Sequence, residues 1–378
     1  MKVFLIAGEA SGDKLGAALM EGLKQLAPGV TFDGVGGPLM QAQGLVSRFP
    51  MDELSVMGLA EILPKYRALK ARIAQLAAAV LETKPDVLLT IDSPDFCLRV
   101  AKNVRAASTI RTIHYVAPTV WAWRPGRAAK MARHIDHVLA LFPFEPPYMQ
   151  AAGMSCDFVG HPVVAEPQAT KDQADRFRAR TLGESKGPLV LVLPGSRRGE
   201  VSRLAATFGT ALTIFVAGRP DTRVVIPTTA NVAEMVHNLT RDWPGNPLIL
   251  DPTETEIKRA AFAAADVALA ASGTVSLELA AARTPMVIAG DMNWLSRTII
   301  SRMLLVDTLT LVNLVSDTRA VPEFIGANCQ PGPIAASLDA VLANPTAQSG
   351  AMRITMERLG QGQEPPGLRA ARSVLDHL

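Results

Sequence analysis

The sequence predicts an α/β protein built from two Rossmann-like, doubly wound domains facing a cleft, and three observations carry that expectation. Short runs rich in Val, Ile and Leu alternate with longer amphipathic stretches. The alternation loosens once, around Gly160 to Pro188, and then restarts with the same grammar. The chain has 378 residues, more than one ordinary core holds. Strands buried on both faces read as continuous apolar runs, so alternation of this kind implies parallel sheets.

Taken in order, VFLIAG is followed by a helix from Gly12, VLLTID by one from Pro94, TIHYV by one near Arg124 and HVLALF by one near Phe144. After the Pro-containing linker come LVLVLPGSRRGEV, RVVIPTT, PLIL, DVALAASGT and PMVIAG, each read as a strand with a Gly- or Ser-bearing turn before a helix. The expected limits are 1–165 for the first domain, 166–345 for the second and 346–378 for a C-terminal helical segment, with a return to the first domain or exchange in a dimer as its alternatives. A cleft between the domains is the default ligand site.

Composition narrows the function classes. With 48% apolar and 19% charged residues the chain can bury two cores, and its net charge of +3 comes without the Lys/Arg runs of a nucleic-acid arm, so no nucleic-acid partner is expected. Cys97, Cys156 and Cys329 are scattered, which argues against a disulfide framework and fits a reducing cytosol. The opening MKVFLIAGEASGD breaks at Gly8 and Glu9, too soon for a signal or spanning segment, so any membrane contact is expected at the surface. Neither an Asp-x-Asp pair nor a His/Cys cluster is visible, so neither a metal nor a cofactor is expected.

The most telling residue is Asp92 in VLLTIDSPDF. It ends an apolar strand just before a helix start at Pro94, where open α/β sheets place their chemistry. Pro94 suits the first helical position, Ser93 a capping role and Asp95 the first turn, which leaves Asp92 without a structural task. The bland alternative is a turn residue satisfying local N–H groups.

In the second half, Gly195, Ser196 and Arg197 follow a strand and precede a helix, so backbone N–H groups and a guanidinium could meet an anionic oxygen. A capped turn with solvated arginines is the alternative. Farther on, Ser272, Gly273 and Thr274 open another helix with Glu278 one turn in. Small residues there admit a pyrophosphate, and Glu278 could accept both hydroxyls of a ribose.

In the first half, Ser11, Gly12 and Asp13 open the first helix. Gly8, Gly12 and Gly16 lack dinucleotide spacing, so a sugar or phosphate is the sharper reading and a tight turn the blander one. HYVAPTVWAWRPGR sets His114, Tyr115, Trp121, Trp123 and Arg124 together, a combination suited to a sugar or phosphate, or to packing under a loop. His161 opens the linker, with a cleft or hinge role competing with a local one. Two stretches suit lipid: Val56, Met57 and Leu59 in LSVMGLAEIL, and Trp294, Leu295, Arg297, Ile299 and Arg302 in WLSRTIISRMLLV, an apolar face edged by basic residues. Beyond the first of these the stripe Tyr66, Leu69, Ile73, Leu76 and Val80, with Lys65, Arg67, Lys70 and Arg72 among it, is also explained by a helix packed on the sheet.

Together, SGDKLGA, VMGLAEIL, IDSPDF, HYVAPTVWAWR, VGHPV, LPGSRRGEV and ASGTVSLE, in this order, closely resemble the bacterial lipid-A-disaccharide synthases. The resemblance runs from residue 1 to about 325. It implies a metal-independent glycosyltransferase of the B type at the cytoplasmic face of the inner membrane. Its substrates would be UDP-2,3-diacylglucosamine and 2,3-diacylglucosamine 1-phosphate, and its products the β-1,6-linked disaccharide 1-phosphate and UDP. The proposed base falls on Asp92; Arg197, Ser272, Gly273, Thr274 and Glu278 fall in the nucleotide half; Asn313 matches an asparagine near the donor. Some members exchange C-terminal segments, so a monomer or an exchanged homodimer is implied. Two departures stand out: Val312 where the family commonly has Pro, and Phe324 where Gln often follows Glu323.

An α-linked donor giving a β-linked product means inversion, hence one in-line displacement and a single base. Two rival readings share these residues. One is a sugar-nucleotide epimerase, or a B-type glycosyltransferase with a soluble acceptor; the other is a membrane-bound nucleotide sensor without turnover.

Overall fold

The computed structural model describes the backbone of residues 1–54, 59–291 and 304–378. The chain divides into two compact units, Met1–Ala165 with Leu359–Leu378, and Glu166–Arg358. Each contains a six-stranded parallel sheet.

The first sheet comprises β1 (Lys2–Ala7), β2 (Thr31–Val35), β3 (Val87–Ile91), β4 (Arg111–Tyr115), β5 (His137–Ala140) and β6 (Ser155–Phe158), in the order β2-β1-β3-β4-β5-β6. The second comprises β7 (Leu189–Leu193), β8 (Arg223–Pro227), β9 (Leu248–Leu250), β10 (Val267–Ala271), β11 (Met286–Gly290) and β12 (Glu323–Ile325), in the order β12-β11-β10-β7-β8-β9. Central strands β3, β7 and β10 are buried throughout, which is why they read as unbroken apolar runs. Three strands went unread in the sequence: β2, β6 and β12. All are sheet edges with exposed or partly buried residues, so their sequences TFDGV, SCDF and EFI carry no such run.

Helix Leu59–Thr83 buries Ile73, Leu76 and Val80 while Arg72 pairs with Glu53 at 2.6 Å, so this part of the stripe is core packing. Helix Arg198–Ala217 is, among the described residues, the one helix long and apolar enough to cross a membrane by length and composition. Its Val201, Leu204, Phe208, Leu212 and Phe215 nevertheless lie in the core of the second sheet.

The second unit continues past the expected limit at 345, because the following segment is tied into it. The Gln348 amide bonds both the N–H and the carbonyl of Met286, at 3.0 and 2.8 Å, and Arg358 Nη1 donates to Val315 O at 2.7 Å. From Leu359 the chain belongs to the first unit, where helix Pro366–Asp376 packs on helix Ala10–Leu26. Small residues let the two backbones approach: a Cβ on Gly22 would lie 2.8 Å from Gly367 O, and one on Gly367 would lie 2.6 Å from Ala18 O.

Gly34, in edge strand β2, has φ of +131°, and a Cβ there would fall 1.8 Å from Leu5 O in β1. Gly34→Ala is therefore expected to cost about 2 kcal/mol or more, because the strand must shift and an L-residue resists that φ. Urea unfolding measures it; an unchanged midpoint would contradict the tight β1–β2 approach.

Candidate active site

In the second sheet, β8 and β9 lie on one side of β7, and β10 to β12 on the other, so the chain order reverses between β7 and β10. Helices following the strands diverge at such a reversal and leave a crevice at the carboxyl ends. A cavity of about 320 Å³ opens there, lined by Leu193, Gly195, Ser196, Arg197, Glu200, Pro227, Thr228, Thr229, Lys258, Ala271, Ser272, Gly273, Thr274, Val275 and Glu278. The two anion-suited turns read from the sequence thus share one pocket.

Gly195 makes the first turn possible with φ of +125°, in a place where a Cβ would crowd Glu200 Cβ at 2.7 Å. Glu200, in the first turn of helix Arg198–Ala217, accepts from Ser196 N and Arg197 Nη1, both at 3.3 Å. Asn231 Nδ2 donates to Ser196 O at 2.8 Å and holds the turn from the β8 side. Arg197, 64% exposed along its side chain, keeps donors to spare for an anion. Opposite, Thr274 begins helix Val275–Ala281 without capping it by its side chain. Glu278 Oε2 accepts from Lys258 Nζ at 2.8 Å. Glu200, Thr228, Thr229 and Lys258 were not singled out in the sequence; Lys258 sits mid-helix in TEIKRAAF, where a lone lysine reads as solvated.

In the first sheet the order reverses between β1 and β3; Asp92 directly follows β3, and Ser11 lies in the first turn of helix Ala10–Leu26, which follows β1. Ser11 Oγ donates to Asp92 Oδ2 at 3.3 Å, and the Asp92 N–H continues the sheet ladder to Tyr115 O at 2.9 Å. Asp92 and Ser93 both have left-handed backbones, φ +53° and +42°, and Val116 at the end of β4 has φ +86°. For a β-branched residue that is an outlier, and such strain persists only where surrounding bonds impose it; here the Val116 N–H is held by Leu139 O at 3.0 Å. The expected capping role of Ser93 is not made. Among the described residues its buried hydroxyl has no hydrogen-bond partner, at a spot where a Cβ on Gly8 would lie 2.8 Å from it.

The family model for lipid-A-disaccharide synthetase matches residues 3–366. The chain is 64% identical to the lipid-A-disaccharide synthase of Ruegeria pomeroyi, over 100% of this chain and 96% of that protein. It is 48% identical to that of Rhodospirillum centenum, over 99% and 94% respectively. The chain belongs to the lipid-A-disaccharide synthase family. Solved structures share its fold at low identity. The Neisseria meningitidis UDP-GlcNAc 2-epimerase bound to UDP-GlcNAc has a TM-score of 0.65 at 13% identity, covering 100% of this chain and 99% of that one. Acinetobacter baumannii MurG has a TM-score of 0.56 at 17% identity, covering 99% and 98%. The two-domain α/β fold expected of a B-type synthase is the fold found.

For this member of the synthase family, several residues expected at substrate are committed elsewhere. Asn313 is buried, its amide paired with both the carbonyl and the N–H of Val321 at 2.8 and 3.0 Å, and it does not line the cavity. Beside it Glu323 accepts from the Leu309 and Thr310 N–H groups and the Thr310 hydroxyl, so this turn satisfies itself. Asp13 is buried and caps helix Pro38–Ala42 by accepting from Leu39 N and Met40 N at 3.0 and 2.9 Å. Gly12 lets the first helix approach Ile91 O, where a Cβ would sit at 3.4 Å.

His114 and Tyr115 lie inside the sheet. His114 Nδ1 bonds Thr90 Oγ1 at 2.7 Å, and burial pulls the imidazole down to about 4, the state of a neutral core histidine. Burial likewise pushes the Tyr115 phenol up. His161 is also buried and held down to about 4 by burial and the neighbouring Lys14 charge; its Nδ1 accepts from Val163 N at 3.2 Å. Trp123 remains partly open, with the exposed Arg124 guanidinium 4.2 Å over its ring.

Trp121 is buried, edge-on to Phe144, and donates its Nε1–H to Glu145 at 3.3 Å. Glu145, unread in the sequence, also accepts from Leu141 N and Phe142 N, at 3.1 and 3.0 Å. Burial raises its carboxyl to about 7 from an ordinary 4.5. The unfolded carboxyl gives up its proton near 4.5 and the folded one near 7, so the native state holds the extra proton between those values and stability falls as pH rises through that window. Urea midpoints from pH 5 to 8 are expected to decline more steeply for the native chain than for Glu145→Gln. Parallel curves would show that this carboxyl does not titrate there.

One cluster lay hidden from spacing. His137, Asp157 and His377 bring their ligand atoms within 4.8 Å of one another. Both His137 ring nitrogens bond serine hydroxyls, Ser155 and Ser373 at 2.8 Å, and Ser373 Oγ reaches Asp157 at 2.7 Å. The His137 and His377 rings stack at 3.7 Å, so neither ring plane points at a shared ion; the group ties helix Pro366–Asp376 to β5 and β6. The lipid-suited Val56 and Met57, the Leu59 side chain, and Trp294, Leu295, Arg297, Ile299 and Arg302 lie outside the described residues.

Proposed function

We propose that this chain joins UDP-2,3-diacylglucosamine to 2,3-diacylglucosamine 1-phosphate, giving the β-1,6-linked disaccharide 1-phosphate and UDP by a single inverting displacement. The observation that carries the reading is the pocket at the β7/β10 reversal, which unites Ser196, Arg197, Ser272, Gly273, Thr274 and Glu278 in a family whose relatives bear the synthase name. In it the diphosphate meets the backbone N–H groups of two turns and the Arg197 guanidinium, while Glu278 accepts the ribose hydroxyls. These donors answer the charge that develops on the leaving UDP.

Asp92 serves as the base. It lies at the strand-order reversal of its own sheet, it is partly exposed, and Ser11 orients one of its oxygens. As the acceptor 6-hydroxyl attacks the anomeric carbon, its proton passes to Asp92 and the bond to the UDP oxygen breaks. Trp123 and Arg124 present a half-buried indole with an exposed guanidinium stacked over it, a pair suited to the acceptor sugar and its phosphate. The acyl chains place the enzyme on the inner face of the bacterial inner membrane.

The test is direct. Both diacylated sugars are supplied in mixed micelles, and UDP and disaccharide 1-phosphate are followed by mass spectrometry. Product requiring both acylated partners is expected. Epimerised UDP-sugar without acceptor would favour the epimerase reading, equal turnover of deacylated acceptor a soluble-acceptor transferase, and UDP binding with no turnover a sensor.

A further inference from the structure

We propose that Lys258 is a positioning residue that sets the pocket's preference for a ribonucleotide, by aiming Glu278 at the 2′-hydroxyl; this rests on the nucleotide reading above. Lys258 and Glu278 stand on different helices, Thr255–Ala264 and Val275–Ala281, and both line the cavity. Their contact, Nζ to Oε2 at 2.8 Å, joins the two helices across the rim of the pocket. The side chains are 38% and 35% exposed, so the pair is neither core scaffold nor a freely solvated surface contact. The ammonium also lies 5.1 Å from the Phe262 ring, which restricts the lysine further.

The consequence concerns the carboxylate. A glutamate free on both oxygens samples several rotamers, and its acceptors point in as many directions. With Oε2 taken by Lys258, Oε1 is the oxygen left, and it accepts no hydrogen bond among the described residues. A sugar hydroxyl arriving there meets an acceptor already oriented, and a hydrogen bond to a charged group is the strong kind. Removing the lysine leaves the carboxylate in place but unaimed. The loss should therefore fall on the hydroxyl contact rather than on nucleotide binding as a whole.

Calorimetric titration of UDP and 2′-deoxy-UDP into the full chain, Lys258→Met, Lys258→Arg, Glu278→Gln and the double variant Lys258→Met/Glu278→Gln separates these effects. The native chain is expected to prefer UDP. Lys258→Met should shrink that preference about tenfold, Lys258→Arg should restore part of it because a donor to Glu278 returns, and the double variant should discriminate no less than Glu278→Gln alone. If Lys258→Met weakens both nucleotides by the same factor, or changes neither, the inference is overturned while the nucleotide pocket stands. If the native chain binds neither nucleotide, the pocket reading fails and takes the inference with it.

Discussion

Replacing Asp92 with asparagine is expected to lower turnover by about 10² to 10⁴, the usual worth of a general base, with little change in stability. The backbone makes this a clean substitution. Asp92 has φ of +53°, and asparagine is among the few residues that adopt that conformation readily. Ser11 still has an amide oxygen to donate to, and the ladder bond from the Asp92 N–H to Tyr115 O does not involve the side chain. What disappears is the capacity to take a proton from the acceptor. Single-turnover UDP release with both acylated sugars, alongside a thermal melt, checks it. Near-native turnover with an unchanged melt would remove Asp92 from the chemistry.

Arg197→Met is expected to lower kcat/KM for the UDP-sugar by about 10² to 10³, the scale for losing one preorganised donor to developing charge. Stability should hold, because the side chain is 64% exposed and its ion pair to Glu200 at 3.3 Å is of the exposed kind worth at most about 1 kcal/mol. Arg197→Lys should recover only part of the loss, since a point charge cannot reproduce the guanidinium fork. Steady-state kinetics over donor concentration distinguish a weakened Michaelis complex from a weakened transition state. Native kinetics for Arg197→Met would move the diphosphate away from this turn.

Particular residues show how far the chain could be read in advance. β1, β3, β4, β5, β7, β8, β10 and β11 stood out because a strand covered on both sides is buried along most of its length and reads as a mainly apolar run, and the edge strand β9 was legible as well because LIL is apolar. β2, β6 and β12 border only one neighbour and keep polar residues, so nothing in TFDGV, SCDF or EFI marks them. Asp92 was visible for the same reason as its strand: a carboxylate ending an apolar run has few structural uses. Its left-handed backbone and its bond to Ser11 were not visible, because both depend on strands far away in the sequence.

Polar residues were harder to place than apolar ones. Asp13, Asn313 and His114 carry the same functional groups as substrate-binding residues, yet each satisfies a buried backbone or side-chain partner. Lys258, Glu200 and Glu145 have the opposite history: unremarked in the sequence, they meet Glu278, the Ser196–Arg197 turn and Trp121. Hydrogen-bond partners are chosen by position in space, and separations of 20 or 24 residues along the chain give no hint of them.

By itself the sequence determined the two parallel sheets and the Gly- and Ser-bearing turns that close their strands, because apolar patterning and turn residues are local properties, and its ordered motifs carried the resemblance to the synthase family. Only the tertiary structure decided which polar side chains remain available. A buried donor or acceptor must find a partner, and that demand commits Asp13, Asn313 and His161 to the fold and leaves Asp92, Arg197 and Glu278 with capacity to meet a ligand.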